Sequence, residues 1–589
     1  MEAQYKERVK KGEEKTQQYH SFIQKMALSR LAVILGGGAL LFYLSQQEII
    51  WLFLLAFLGI LILFMYLVFK QSQLDKQKEY WEKYTLINQN ELQVLKGGSN
   101  LYDAGEKWEN SSHPFTSDLD VFGKNSLFQL VNRASTYLGN VYLAEKFSRL
   151  IPKNCEEVVK VQNKVKDLSQ DIDWCQNYQI ALLTNNKQDV NPLPILEYYL
   201  KKAPSFLPIK LFTIWVKISP FFIFSFLIGG FFNTSFWGIA IILGLLQVFI
   251  SFYYGGKVSL WTQHAENIGK ITESYVGALR LIEEREKNNL GYASFHKLNI
   301  IIQKLNARNN PFVGLILNFL FLWDIKYILE FEKWRNGEYE SVFKGIELTS
   351  IYEFNVSLAT LCRNEPEWTF PHLVKPKSDF NTLIFEANQI EHPLLNKTQS
   401  VANSYHNENH KIALITGSNM AGKSTFLRTV GANLVLAYLG APVRANYLKT
   451  SLFRMITSMR IKDSLAESTS TFKAELDRIS WVLKESEIHK ETFVLIDEML
   501  RGTNSVDKFL GSKAIIEKLI KQGTYGLIAT HDLQLSELEQ QYPGKMANFH
   551  FDIKMEGSEM KFDYKLKQGP CTQFNAAILL KNIGIDINP

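Results

Sequence analysis

The sequence predicts a multidomain membrane protein, in which an α-helical core and lever region with two transmembrane hairpins precedes a C-terminal α/β domain. Two observations predict this fold class. Charge-free apolar runs occupy residues 31–47, 49–69 and 218–256. From about residue 375, short β-rich runs alternate with helical ones, as in a parallel sheet covered by helices. The chain has 589 residues, 46% of them hydrophobic, which is enough for several domains with packed cores.

The net charge and the cysteine content limit the kinds of partner, cross-link and compartment that the sequence predicts. The formal net charge of +6 is modest for this length and does not by itself indicate a nucleic-acid partner. The four cysteines are scattered and form no C-x-x-C pair. A disulfide framework or a zinc site is therefore not expected, and a reducing compartment fits better.

The apolar runs predict four membrane spans in two hairpins, at about 29–46 with 49–70 and at about 211–232 with 235–255. A cleavable signal peptide is the rival for the first run, but about thirty residues rich in polar and charged side chains precede it and a second span follows at once. A buried core hairpin is the rival for the second pair.

Lysines and arginines set the predicted orientation. They cluster in residues 1–30 and flank both hairpins, whereas neither hairpin tip carries one. By the positive-inside rule, the N-terminus, the helical regions and the α/β domain are cytoplasmic, and the protein is a multi-pass protein of the cell (inner) membrane.

The predicted domains follow from these patterns. They are a cytoplasmic N-terminal segment at 1–28, the first hairpin at 29–70, a helical domain at 71–210, the second hairpin at 211–255, a helical lever domain at 256–374 and the α/β domain at 375–589. Long helices are expected at 71–95, 126–150 and 257–345, and a loop at 97–122.

The most informative motif is the loop at 417–424, which reads G-S-N-M-A-G-K-S and fits the P-loop pattern G-x-x-x-x-G-K-[ST]. An apolar strand pattern precedes it and a helical pattern follows. Glycines allow backbone N–H groups to surround phosphate oxygens at a helix N-terminus. Lys423 would reach the β- and γ-phosphates, and the Ser424 hydroxyl would bind Mg²⁺. The sequence therefore predicts a nucleoside triphosphate site.

Three further features lie downstream of this loop. The apolar run at 492–496 ends in Asp497 and Glu498; Asp497 would hold Mg²⁺ and Glu498 would polarise water, with a pair of surface acids as the rival interpretation. His531 follows another apolar strand, either as a γ-phosphate sensor or as an ordinary loop histidine. The Ser/Thr cluster at 468–471 is a helix N-cap or a functional element.

These elements together resemble the MutS family of DNA mismatch repair ATPases, within the ABC-type class. The family loop reads close to T-G-x-N-M-x-G-K-S-T, and residues 416–425 fit it. The other residues that fit family elements are Asp463, Leu465, Ser470, Thr471, Phe472 and Glu475, then Asp497, Glu498, Arg501, Gly502 and Thr503, then Ala529, Thr530 and His531, with Glu391, His392 and Pro393 upstream and 569–576 downstream. A weaker resemblance to the family's core domain begins at about residue 118.

The resemblance implies a Mg²⁺-dependent ATPase that works as a homodimer with ATP between the subunits. The nucleotide-binding residues implied are Gly417, Ser418, Asn419, Met420, Ala421, Gly422, Lys423, Ser424 and Thr425, with His392 near the adenine. Ser424 and Asp497 would hold the metal. Ser470 of the other subunit would reach the γ-phosphate, while Glu498 and His531 act in hydrolysis.

Departures from the family pattern limit what the resemblance implies. The first 200 residues contain no F-x-E, the motif that carries the mismatch-reading aromatic wedge, and Ser468 stands where the family often has glycine. A membrane hairpin is expected where two N-terminal domains would precede the core. Three functions stay open: a membrane-tethered ATPase that binds DNA, non-specifically or by structure; a mechanochemical or signalling ATPase without DNA; and a transporter, the least supported.

Overall fold

The computed structural model describes residues 1–47, 50–183, 190–202, 210–288, 290–306, 311–375, 383–418, 420–459, 471–501, 503–556 and 559–571. The chain divides into two compact units. Unit 1 consists of Met1–Arg133, Tyr142–Ile172 and Phe354–Pro589, and unit 2 of Ala134–Val141 and Asp173–Glu353.

The helices are, in chain order, α1 (Glu2–Ser45), α2 (Ile50–Leu95), α3 (Leu127–Val131), α4 (Tyr137–Phe147), α5 (Cys155–Ser169), α6 (Ile172–Leu182), α7 (Leu193–Glu197), α8 (Lys210–Gly229), α9 (Ser235–Tyr253), α10 (Gly255–Glu286), α11 (Tyr292–Asn306), α12 (Pro311–Phe321), α13 (Trp323–Asn364), α14 (Lys423–Leu439), α15 (Thr471–Ile488), α16 (Ser505–Gln522) and α17 (Leu538–Gln541). The strands are β1 (His372–Val374), β2 (Phe385–Ile390), β3 (Asn403–His406), β4 (Ile412–Thr416), β5 (Tyr447–Ser451), β6 (Arg454–Ser458), β7 (Thr492–Asp497), β8 (Tyr525–Ala529), β9 (Met546–Glu556) and β10 (Glu559–Gln568).

The first two helices of unit 1 form a long antiparallel hairpin. Helix α1 has 44 residues and α2 has 46, so each extends for about 65 Å at 1.5 Å per residue. A glycine allows the close approach: a Cβ on Gly37 would lie 2.9 Å from Ile60 Cγ2. Apolar side chains such as Phe42 (70% exposed) and Trp51 (68%) face outward. The predicted helix at 71–95 is the second half of α2.

The predicted helical stretch at 126–150 is interrupted. Helices α3 and α4 are separated at residues 132–136, and Ser126 caps α3 by accepting a hydrogen bond from the Gln129 N–H. The loop predicted at 97–122 is present, with one short helical turn at Glu106–Trp108.

Unit 1 also contains the predicted α/β domain. Its main sheet has the order β10-β9-β4-β8-β7-β6. The strands β9, β4, β8, β7 and β6 are parallel, and β10 pairs antiparallel with β9 at the edge. A second sheet has the order β1-β5-β2-β3. The prediction of a mixed helical and α/β fold is therefore confirmed.

Unit 2 is helical and contains a layer of apolar helices, α8, α9 and α12. Side chains such as Phe221 (76% exposed) and Phe312 (80%) face outward from this layer. Helix α12 had no counterpart among the predicted spans.

By length and composition, three helices of the described part of the chain are able to cross a membrane: α1, α2 and α9. The pair Phe312–Phe321 and Trp323–Asn364, bent by 75°, passes the same test together and would make a fourth. The predicted span at 211–232 differs, because Thr213–Gly229 is a shorter apolar helix that contains Pro220. The six predicted domains and the membrane orientation stay predictions.

Candidate functional site

The 417–424 loop joins β4 to α14 at the carboxyl end of a central parallel strand. Its backbone requires glycine at two positions: Gly417 has φ +142° and Gly422 has φ +106°. A Cβ on Gly417 would lie 2.6 Å from the Phe551 carbonyl oxygen. Backbone geometry therefore explains both fixed glycines of the pattern.

Lys423 is held inside this loop. Its side chain is buried, and Nζ donates to the carbonyl oxygens of Gly417 at 2.7 Å and Ser418 at 2.8 Å. Burial lowers the pKa of Lys423, against the opposing influence of the Glu498 and Asp497 carboxylates. The ammonium is thus close to two acids and positioned by main-chain oxygens.

The two acids stand where β7 ends. Asp497 is the last residue of the strand, and Glu498 follows with φ +55°. The Glu498 N–H donates to the Ala529 carbonyl oxygen of the neighbouring strand at 2.9 Å. A left-handed backbone at a non-glycine residue is uncommon, and here it turns the chain sharply after the strand.

His531 contacts Glu498 directly. The distance between His531 Nδ1 and Glu498 Oε1 is 3.1 Å, and Lys508 Nζ lies 3.4 Å from His531 Nε2. Because an ammonium only donates, Nε2 accepts from Lys508 and the Nδ1 proton is donated to Glu498. Burial by itself raises the pKa of Glu498, but the hydrogen bond from His531 and the charges of Arg501 and Lys508 outweigh it and lower the pKa.

Arg501 and Glu475 fit the family pattern but had no predicted role. The Arg501 guanidinium donates to the Asp497 carbonyl oxygen at 2.6 Å, and its Nε lies 3.5 Å from Glu498 Oε2. The buried Glu475 carboxylate accepts from the N–H groups of Leu500 at 2.6 Å and Arg501 at 3.1 Å. Glu475 therefore stabilises the turn after β7 that places the Arg501 guanidinium beside Asp497 and Glu498.

His392 lies in the element that approaches the loop from the second sheet. Its Nδ1 accepts from the Leu394 N–H at 3.2 Å, and Arg444 donates to its carbonyl oxygen at 3.0 Å. Burial, together with the charges of Arg428 and Arg444, lowers the pKa of His392 to about 4. The imidazole is consequently neutral at physiological pH.

One open cavity of about 890 Å³ brings these elements together. The predicted site residues that line it are His392, Ser418, Met420, Gly422, Lys423, Ser424, Thr425, Asp497 and Glu498. Gly417, Ala421 and His531 are not among the residues that line it. Asn419, Ser468, Ser470 and Gly502 lie outside the described residues.

Tyr564 lines the cavity, although no motif in the sequence pointed to it. It lies on the edge strand β10 with φ +50°, and its carbonyl oxygen accepts from Asn403 Nδ2 at 3.0 Å. A Cβ on Gly422 would lie 3.2 Å from Tyr564 Cδ1. An aromatic ring therefore adjoins the loop from a strand far away in sequence.

The donor set at the loop suits a hard cation. Ser424 and Asp497 both line the cavity, and they provide a hydroxyl and a carboxylate oxygen. Mg²⁺ is commonly held by one or two such protein oxygens together with waters and substrate phosphates. Among the described residues no group of three or more His, Cys, Asp or Glu side chains forms a dedicated metal site.

The fold and the cavity define an α/β domain with a ligand pocket at the carboxyl ends of its parallel strands, the usual location in such sheets. Residues 413–581 match the family model MutS domain V. The proteins named DNA mismatch repair protein MutS from Thermotoga sp. (strain RQ2) and Thermotoga maritima are each 35% identical to this chain over 211 residues, covering 34% of this chain and 26% of theirs. The corresponding protein of Thermotoga neapolitana is 36% identical over 166 residues, which cover 28% of this chain and 20% of its own length.

The C-terminal region is similar to the MutS family in its domain V, and the resemblance inferred from the sequence is confirmed there. The match is confined to the C-terminal region. The chain spans about a quarter of the length of these curated relatives (26%).

Proposed function

We propose that this protein is a membrane-tethered, Mg²⁺-dependent ATPase of MutS type. The observation that carries the proposal is one cavity in which the 417–424 loop, with Lys423 and Ser424, faces Asp497 and Glu498. A glycine-rich loop at a helix N-terminus suits phosphate groups, and carboxylates at the next strand but one suit a metal and a water molecule.

The residues have distinct roles in the proposed reaction. Lys423 binds the β- and γ-phosphates once its bonds to the loop carbonyls are exchanged for phosphate oxygens. Ser424 and Asp497 would hold Mg²⁺, which when bound supplies positive charge to the phosphate oxygens. Glu498 orients and deprotonates the attacking water. A carboxylate with a lowered pKa is ionised at neutral pH, as this role requires.

His531 supports Glu498 in this scheme. Its Nδ1–H is directed at Glu498 Oε1 at 3.1 Å, so it fixes the orientation of the carboxylate. The Tyr564 ring and neutral His392 at the cavity wall suit contact with an aromatic base rather than with phosphate.

Dimerisation belongs to the same proposal. The cavity is open on one side, and a second copy would complete it, with Ser470 of that copy reaching the γ-phosphate. ATP would then close the dimer and hydrolysis would release it. Sedimentation of the protein with ATP and with ADP tests this step.

The membrane tether is supported by the outward-facing apolar side chains of α1, α2 and α9. We place the N-terminus, the helical domains and the α/β domain on the cytoplasmic side of the cell membrane, in agreement with the positions of lysine and arginine. Extraction of the protein from membranes only by detergent, and not by high salt or carbonate, is the expected result.

Whether DNA is the partner follows from a second experiment. The relatives are named for DNA mismatch repair, which favours DNA-stimulated hydrolysis; the apolar helices favour a mechanochemical or signalling role at the membrane. Hydrolysis stimulated by duplex, branched or mismatched DNA, with an effect that decreases steeply with salt, would establish the first role. A rate unchanged by every DNA form would exclude the first role.

Nucleotide binding itself is tested with Lys423→Ala. We expect this variant to lose binding of a fluorescent ATP analogue, because the loop loses its cation. Lys518→Ala, an exposed lysine on α16, is the matched control and should bind normally. Equal binding by both variants would contradict the assignment of the 417–424 loop.

A further inference from the structure

A cluster of polar side chains lies inside the apolar helix layer of unit 2. Ser251 Oγ lies 3.0 Å from Asn318 Oδ1 and 3.1 Å from Asp324 Oδ2. Asn318 Nδ2 donates to Asp324 Oδ2 at 3.1 Å. All three side chains are buried, although the outer surfaces of the same helices carry exposed aromatic and aliphatic groups.

The cluster lies at a break in the helical backbone. Helices α12 and α13 meet at an angle of 75°, and Leu322 between them has φ +47°. Asn318 bridges the break, because its Oδ1 accepts from the Asp324 N–H at 3.1 Å and its Nδ2 also donates to the Gly314 carbonyl oxygen at 3.0 Å. Broken helices inside apolar layers commonly present oxygen atoms to bound ions.

Gln247 is the second, independent observation. It is fully buried, and within the described part of the chain neither Oε1 nor Nε2 has a hydrogen-bond partner. A buried amide without partners is rare, because its desolvation is uncompensated. The side chain therefore points to a polar ligand that the protein chain itself does not supply.

The helix geometry directs Gln247 toward the cluster. Gly244, Gln247 and Ser251 share the buried face of α9, at intervals of three and four residues. A Cβ on Gly244 would collide with the Phe319 ring at 2.2 Å, and Ser251 contacts Asn318. Gln247 thus lies between two points at which this face of α9 meets consecutive residues of α12.

We propose that Gln247, Ser251, Asn318 and Asp324 form a binding site for a monovalent metal cation within the apolar helix layer of unit 2. The site offers one carboxylate and neutral hydroxyl and amide oxygens, which match a single positive charge. Calcium sites usually combine several carboxylates, and the part of the chain described here has no group of three acidic or other metal-ligating side chains. A water on the bound ion would accept the Gln247 N–H.

The site is separate from ATP hydrolysis and is tested without nucleotide. The thermal midpoint of the purified full-length protein in detergent is measured in NaCl, in KCl and in choline chloride at equal ionic strength. We expect a saturable rise of roughly 2 to 4 °C in Na⁺ or K⁺ relative to choline, because a ligand that binds only the folded state stabilises it. An unchanged midpoint, or one that responds to pH but to no metal ion, would overturn the proposal.

Three variants connect this shift to the cluster. Asp324→Asn should abolish the difference between metal ion and choline. Gln247→Leu retains the Asp324 carboxylate and should raise the Na⁺ concentration needed for half of the thermal shift at least tenfold. Ile223→Ala creates a cavity at a buried apolar residue of α8 and should lower stability equally in every salt. If Asp324→Asn does not fold, the Gln247→Leu titration decides, and an unshifted titration in that variant contradicts the site.

Discussion

Replacing Glu91 by glutamine should destabilise unit 1 far more than the loss of an ordinary ion pair. Arg133 Nε and Nη2 donate to the two Glu91 oxygens at 2.5 and 2.9 Å, and both side chains are only 2% exposed. Asn364 Nδ2 also donates to Glu91 Oε2 at 2.7 Å, and the Tyr5 hydroxyl donates to Asn364 Oδ1 at 2.8 Å. This network joins the start of α1 to the ends of α2 and α13.

The magnitude follows from what the substitution leaves behind. Burial by itself lowers the pKa of Arg133, but the charge and hydrogen bonds of Glu91 outweigh it and raise the pKa. Because an arginine side chain is not deprotonated in proteins even without such a partner, Arg133 stays charged when Glu91 becomes neutral. Leaving one member of a buried pair uncompensated costs about 3 to 5 kcal/mol, and glutamine also presents a donor where the carboxylate accepted from Arg133.

The assay is the apparent melting temperature of the detergent-purified protein, with ligand and protein concentrations held constant. We expect a decrease of about 4 to 6 °C for Glu91→Gln. The matched control is Glu156→Gln, which removes an exposed ion pair with Lys375 (67% and 70% exposed) and should leave the melting temperature unchanged. Equal melting temperatures for the two variants would refute the energetic argument.

The remaining predictions concern the candidate site. Glu475→Ala removes the acceptor of two backbone N–H groups, which should lower the free energy of unfolding by about 1 to 3 kcal/mol. It should also lower kcat without abolishing nucleotide binding. An unchanged kcat would exclude this positioning role. His531→Ala removes the hydrogen bond that helps to lower the pKa of Glu498, so the acid limb of the kcat profile should move to higher pH, and an unmoved limb would contradict the contact. The pKa of His392 is lowered to about 4, so below about pH 6.5 the unfolded chain binds more protons than the folded protein. The free energy of unfolding should therefore fall by up to about 3 kcal/mol as the pH decreases from about 6.5 to 4. His392→Asn should reduce this dependence of stability on pH in acid titrations followed by circular dichroism.

The part of the fold that local pattern could predict is the α/β domain. The apolar runs at 411–415, 492–496 and 526–529 have the length and composition of buried strands, and the structure has strands at Ile412–Thr416, Thr492–Asp497 and Tyr525–Ala529. The loop residues Lys423 and Ser424 share a cavity with Asp497, because the carboxyl ends of parallel strands meet at one edge. Their chemical roles stay predictions.

Contacts between distant parts of the chain could not be predicted in this way. Tyr564 reaches the cavity through the pairing of β10 with β9, which no local pattern specifies. Helix α12 at 311–321 is apolar but too short to be recognised as a span, and its bent continuation into α13 depends on the left-handed backbone at Leu322. Ser251 and Gln247 were hidden within a charge-free run, in which only packing distinguishes a polar interior from an outer surface.

Single-turnover hydrolysis of Mg-ATP by Glu498→Gln tests the central claim most directly. We expect the variant to bind ATP normally, to accumulate as the ATP-bound dimer and to hydrolyse ATP at least about 100-fold more slowly than the unmodified protein, because the water loses its base. Glu145→Gln, at an exposed position of α4, should hydrolyse at the normal rate. Normal turnover by Glu498→Gln would contradict the account of this site as an ATPase centre.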